Sequence, residues 1–137
     1  EPDARRLGAA GFIATKETPL ATVKERFDLI VDTVSATHDY DAYLGLLKPR
    51  STMALVGEPA EQQKFRPFSL ILGGRKLMGS LIGGIAETQE MLDHCAKHGV
   101  VSDVEVIPIQ QINEAWERVL KSDVRYRFVI DMKSLRA

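Results

Sequence analysis

The stretch Lys76 to Gly99, KLMGSLIGGIAETQEMLDHCAKHG, decides how this chain is read. A short apolar strand passes through Ser80 and a Gly-Gly pair into a helical segment with a definite start and stop. Gly83 and Gly84 allow positive φ, or a close approach of backbone to a bound molecule, because neither carries a Cβ. Thr88 is placed to close the helix start, and Gly99 suits its end. A strand-to-helix corner of this kind is suited to holding a ligand.

Working towards the amino terminus, strands and helices alternate. Phe27 to Val34, FDLIVDTV, is an apolar run rich in β-branched residues and predicts a strand buried on both faces. Gly11 to Ala14 is a shorter strand candidate. His38 to Leu47 predicts a helix with Asp39 or Asp41 near its start, Tyr43, Leu44 and Leu47 on one face, and Lys48-Pro49 as its stop. Thr52 to Val56 is the next strand, Gly57 to Pro67 a loop, and Phe68 to Leu72 a short helical piece. Strands separated by short crossovers imply an α/β fold with a parallel sheet. After Gly99 the pattern becomes β-α-β: Val104 to Ile107, then Gln110 to Lys121 with Ile112, Trp116, Val119 and Leu120 at helical spacing, then Tyr126 to Asp131.

Composition narrows the function. The chain has 137 residues, 45% of them apolar, which is enough for a real core. A net charge of -1 gives no electrostatic reason to expect nucleic acid or an anionic membrane as partner. No apolar stretch reaches membrane-spanning length, and a single cysteine points to a reducing cytoplasm. The opening EPDARRLGAAG reads as the last turns of a helix without an initiator Met, so the expectation is that an amino-terminal part is missing.

Two tempting sites have plainer readings. His94, Cys95 and His98 have metal-ligand chemistry, but helical geometry puts Cys95 with Thr88, Met91 and Leu92 on the apolar face and the histidines among Glu87, Glu90 and Lys97. Asp32 at a strand end invites a phospho-acceptor reading. The acidic pair and lysine that such chemistry requires have no place in the sequence, so Asp32 reads as a strand-end carboxylate bonded to nearby backbone.

The segments FDLIVDTVSATHDYDAYLGLLKPRSTMALVGEP, GSLIGGIAETQEMLDHCAKHG and INEAWERVLKSDVRYRFVIDM, in that order, resemble the carboxy-terminal part of zinc-dependent, NADP-preferring alcohol dehydrogenases of the cinnamyl alcohol dehydrogenase branch. The resemblance implies a partial Rossmann domain, strands 3 to 6 of the order 3-2-1-4-5-6, over residues 1–103. Residues 104–137 would then return to a GroES-like catalytic domain. It places cofactor contacts at Thr33 and Val34, at Val56, Gly57 and Glu58, and at Ser80, Leu81 and Ile82, with Arg127 near the cofactor phosphates. Plainer readings are a small strand residue for Ser80 and a surface charge for Arg127.

The same resemblance implies hydride transfer between an NADP nicotinamide and an alcohol or aldehyde, with zinc in the parent enzyme. It also implies a homodimer through the strand Leu77 to Ile82. The family's zinc ligands, proton relay and glycine-rich loop would all precede Glu1; the chain contains no GxGxxG and no paired-cysteine motif. The chain by itself is therefore expected to be inactive, with no catalytic or metal-ligating residue of its own. Rival expectations are a non-catalytic nucleotide-binding or dimerisation module, and a zinc-free reductase. Without strands 1 and 2, Phe27 to Val34 is expected to be an unprotected edge prone to pairing with another chain.

Overall fold

A computed structural model describes residues 1–136. The chain forms two compact units, Glu1–Ile82 and Gly83–Ala137. The first begins with helix α1 (Pro2–Arg6) and passes through a 3-10 turn at Leu20–Thr22. It continues with β1 (Phe27–Asp32), α2 (Tyr40–Leu44), β2 (Leu47–Leu55), α3 (Pro67–Ile71) and β3 (Lys76–Gly79). Its sheet has the order β1-β2-β3, and both pairings are parallel.

Side-chain alternation sorts the sheet into two faces. Ile30, Met53 and Leu77 lie side by side in register and meet the fully buried Leu44 and Leu47, with Tyr43, Leu55 and Leu70 around them. Val31, Ala54 and Met78 are neighbours on the opposite face. There Leu29 and Val31 are more than half exposed, so the expectation that β1 is buried on both faces is corrected. Tyr43 and Leu44 of α2 and Leu70 of α3 pack on the first of these faces.

Local chemistry fixes the helix starts. Asp39 accepts from Ala42 N at 3.2 Å and so caps α2. Pro67 sits in the first turn of α3, where its missing N–H costs nothing. Asp41 accepts from the Arg66 backbone N–H at 3.0 Å and from Ser69 Oγ, so α2 supplies the capping carboxylate of α3. The Ser69 hydrogen bond and then the Arg66 N–H hold the Asp41 carboxyl below the usual range.

Several boundaries differ from the sequence reading. Gly11 to Ala14 joins no sheet, because the neighbour that a third Rossmann strand needs is the second, and no such strand is among the described residues. The helix expected to reach Leu47 stops at Leu44, and β2 begins already at Leu47. Between Leu47 and Thr52 the strand bulges: β1 advances from Phe27 to Leu29 over the same interval, with Pro49 and the left-handed Arg50 (φ 64) taking up the excess.

The second unit holds α4 (Ile85–His98), β4 (Glu105–Pro108), a 3-10 turn (Ile109–Gln111), α5 (Ile112–Leu120), β5 (Phe128–Asp131) and a closing 3-10 segment (Met132–Arg136). The cap of α4 is Gly84 rather than Thr88. Glu87 Oε2 accepts the Gly84 N–H at 2.8 Å, while Thr88 Oγ1 donates to Gly84 O at 2.9 Å. Neither glycine of the pair has positive φ; a Cβ at Gly83 would instead lie 3.0 Å from Glu87 Oε2 and crowd the capping carboxylate. Gly99, at φ 65, ends the helix as expected.

Strands β4 and β5 pair in parallel, so the α5 connection is a crossover. Arg118 of α5 closes this unit by donating to Glu105 Oε2 at 2.8 Å and Asp123 Oδ2 at 3.1 Å, with its guanidinium 4.7 Å from the Phe128 ring centre.

Truncating Leu47 to Ala removes a fully buried side chain at the helix-sheet seam. Denaturant unfolding should show a loss of about 2 to 5 kcal/mol. Asp41 offers a pH test. Because its folded pKa is lowered, its contribution is present above the ordinary carboxylate range and is lost as pH falls through the lowered value. The melting-temperature gap between the native protein and Asp41→Asn should therefore be wide near neutrality and shrink in acid.

Candidate functional site at the carboxyl ends of the strands

All three strands of the first sheet end on the same edge, because parallel strands share one direction. Hydrogen bonds just past the ladder lock these ends together. Val56 N and Gly57 N both donate to Asp32 O, at 2.9 and 3.2 Å, and Ser80 N donates to Leu55 O at 3.0 Å. The result is an open cleft of about 400 Å³ lined by Leu55 to Glu58 and by Gly79, Ser80 and Leu81.

Gly57 is the tightest point. A Cβ there would stand 2.7 Å from Val34 O and 2.8 Å from Thr33 C, both backbone atoms that cannot swing aside. The chain leaving β2 thus lies directly on the chain leaving β1. Only glycine fits that approach.

Beneath this edge sits Asp32, buried at 6% exposure. Its Oδ1 accepts the Val34 N–H at 3.0 Å, as a strand-end carboxylate bonded to nearby backbone should. Its Oδ2 accepts from His38 Nε2 at 3.0 Å, and His38 Nδ1 stands 2.8 Å from Ala36 O. The His38 ring also packs against Tyr40 (centroids 4.8 Å apart) and edge-on to Tyr43 (5.4 Å). Burial pushes the Tyr40 hydroxyl pKa up, and the charge on Asp32 adds to it.

The structure thus brings Thr33, Val34, Val56, Gly57, Glu58, Ser80 and Leu81 to one edge of one sheet. Ile82 follows as an exposed residue outside the cleft lining. Arg127 lies in the other unit, just before β5, where its carbonyl accepts from Glu105 N at 2.9 Å and its side chain helps line an apolar cavity with Trp116, Tyr126 and Phe128. On α4 the His94 and His98 rings lie 4.4 Å apart, and Cys95 Sγ is 3.6 Å from Met91 Sδ. Among the described residues no group of three or more His, Cys, Asp or Glu side chains is arranged to hold a metal.

Sequence reasoning missed His38. It was read only as the start of a helix, although a histidine six residues beyond a strand-end aspartate, across the short turn TVSAT, was the available signal.

A parallel sheet with its crossover helices and an open cleft at the strand ends is a Rossmann-type α/β arrangement. The chain belongs to the zinc-binding dehydrogenase family, whose sequence profile matches residues 2–97. It is 51% identical over 136 residues to NADP-dependent alcohol dehydrogenase C 1 of Mycolicibacterium smegmatis, covering 98% of this chain and 39% of that protein. Its fold superposes on a cinnamyl alcohol dehydrogenase of Sorghum bicolor with a TM-score of 0.84 and 40% identity, over 94% of this chain and 37% of that one. The CAD of Helicobacter pylori, solved as a complex with NADP(H), gives a TM-score of 0.80 and 37% identity, over 96% and 38% of the two chains. The chain therefore spans well under half the length of these relatives. The resemblance drawn from the sequence is to the right family.

Replacing Gly57 by Ala forces the strand ends apart, since the new methyl group meets only backbone. Equilibrium unfolding should register a loss of roughly 1 to 3 kcal/mol, in the range of overpacked sites.

Proposed function

We propose that this chain is the cofactor-domain portion of an NADP-dependent zinc alcohol dehydrogenase that interconverts alcohols and aldehydes. The observation that carries the reading is the cleft at the carboxyl ends of the parallel strands, with Val56 to Glu58 on one side and Ser80 and Leu81 on the other. Gly57, Gly79 and Ser80 in the lining leave room for a flat ring. When bound, the nicotinamide supplies or accepts a hydride at C4.

In this reading Thr33 and Val34 border the ring from the end of β1, while Val56 to Glu58 and Ser80 to Ile82 form its wall. The N–H groups of Val56, Gly57 and Ser80 already donate within the sheet edge. Recognition of the carboxamide therefore falls to carbonyl oxygens and to side chains at these positions. Arg127 serves the phosphates, where a guanidinium forks onto two oxygens. The NADP preference rests on the names of the relatives, one called NADP-dependent and one solved with NADP(H).

The described residues do not fit a zinc ion, so no step of the reaction through zinc is assigned to them. We assign residues 1–103 to the nucleotide-binding domain and 104–137 to the catalytic domain. In support, the family match stops at residue 97, and β4, α5 and β5 build a sheet of their own. Taken alone, the chain is inactive.

A homodimer through Leu77 to Ile82 is favoured by the open outer edge of β3, which pairs only with β2 among the described residues. That same edge favours the second reading, a non-catalytic nucleotide-binding or dimerisation module. No helix among the described residues is long and apolar enough to cross a membrane, and a cytoplasmic location is proposed with the lone Cys95 as support.

Titrating the protein with NADPH and with NADH, read by reduced-nicotinamide fluorescence, tests the reading, with intact mass and zinc content measured on the same sample. NADPH should bind, and zinc should be stoichiometric only in a protein whose mass exceeds that of this chain. Nucleotide binding without zinc and without turnover in such a longer protein would favour the module.

A further inference from the structure

The loop after β1 and the loop after β2 are joined by more than the strand ends. Thr37 Oγ1 donates to Glu61 Oε2 at 3.2 Å, and Gln63 Nε2 donates to Thr37 Oγ1 at 3.4 Å. Gln63 Oε1 accepts the His38 N–H at 3.4 Å, and its Nε2 also donates to Glu61 O at 2.7 Å. His38 is therefore held from two directions: its main chain by the second loop, its ring by Asp32 under the first.

A carboxylate oxygen accepts, so His38 Nε2 is assigned as the donor to Asp32 Oδ2, while Nδ1 faces Ala36 O. The ring thus closes the turn from Asp32 to His38 across its base. Its side chain is 14% exposed and that of Asp32 only 5%, so water competes weakly for these bonds. The Asp32 carboxylate uses its other oxygen to fix the Val34 N–H, and the Asp32 carbonyl accepts from Val56 and Gly57. One residue therefore ties the chain leaving β2 to the chain leaving β1. His38 gives the buried carboxyl its side-chain hydrogen-bond partner.

We propose that Asp32, His38 and Gln63 form a clasp that positions the two loops, and hence the Thr33-Val34 and Val56-Glu58 backbone, in the geometry a nucleotide requires. His38 and Gln63 are positioning residues rather than contacts. The proposal rests on the nucleotide reading above. It adds that affinity depends on a hydrogen-bonded pair lying beneath the cleft and not lining it.

The test uses His38→Phe, which keeps an aromatic ring against Tyr40 and Tyr43 but removes the ring nitrogens, and Gln63→Ala, which cuts the loop-to-loop link and leaves the Asp32 pair intact. Hydrogen exchange on the protein without nucleotide is expected to show the His38 amide in Gln63→Ala, which loses its Gln63 acceptor, and the Val34 amide in His38→Phe, whose Asp32 acceptor is no longer held by the ring, each exchanging about tenfold faster. The NADPH dissociation constant is expected to rise about tenfold in each variant, while Leu47→Ala lowers thermal stability and leaves that constant unchanged.

Should His38→Phe fail to fold because Asp32 is left unpaired, Gln63→Ala still decides the question. Unchanged exchange and unchanged affinity in Gln63→Ala overturn the clasp. Faster exchange with NADPH affinity preserved overturns its positioning role and leaves the nucleotide reading standing. An unsubstituted protein that does not bind NADPH overturns that reading, whatever the exchange shows.

Discussion

The rest of the first unit depends on the pairing of β2 with a strand on each side. Among the described residues β2 is the only strand with both edges engaged, and β1 and β3 lean on it in parallel. Parallel pairing requires a crossover between successive strands, so α2 and α3 must return the chain before the next strand begins. Those helices bring Leu44 and Leu70 onto the face where Ile30, Met53 and Leu77 already lie in register. One constraint thus yields the core, the direction of the strands and the location of the cleft.

The site inherits its geometry from the same ladder. Because the strands run together, their outgoing loops emerge side by side, and the next hydrogen bonds past the ladder tie Val56 and Gly57 to Asp32 and Ser80 to Leu55. The missing Cβ at Gly57 lets the β2 exit press on Thr33 and Val34. Polar side chains then do what the sheet cannot, since a ladder fixes strand ends but not the loops beyond them. Thr37, Glu61 and Gln63 bridge those loops over separations of 24 to 26 residues.

Much of this was legible in the sequence wherever local pattern decides structure. The β-branched run at Phe27 marked a strand, and Gly99 marked a helix end, because propensity and backbone freedom act at short range. Where partners are distant, the pattern misled. Gly11 to Ala14 has strand character but no strand beside it, and FDLIV reads as doubly buried while its Leu29 and Val31 face has no cover among the described residues. The Gly-Gly pair was read as allowing positive φ or a close approach to a bound molecule; neither glycine has positive φ, and the missing Cβ at Gly83 makes room for the Glu87 cap. The clustering of candidate residues at strand ends followed from strand order alone. The His38 contact did not, because it depends on how a turn folds back under its own strand.

The two units solve the same problem of a half-covered sheet in different ways. In the first, the apolar face of Val31, Ala54 and Met78 is left open while the opposite face is packed. In the second, Trp116 of α5 stays 63% exposed beside an apolar cavity of about 330 Å³ lined also by Ile107, Phe128 and Ile130. The cleft edge is the contrast: there main-chain polar groups pair with one another and Asp32 has its histidine, so the edge keeps its shape without a covering layer. The form of the cleft is set within the first unit, by the β2 ladder, by the missing Cβ at Gly57 and by the hydrogen bonds of Asp32.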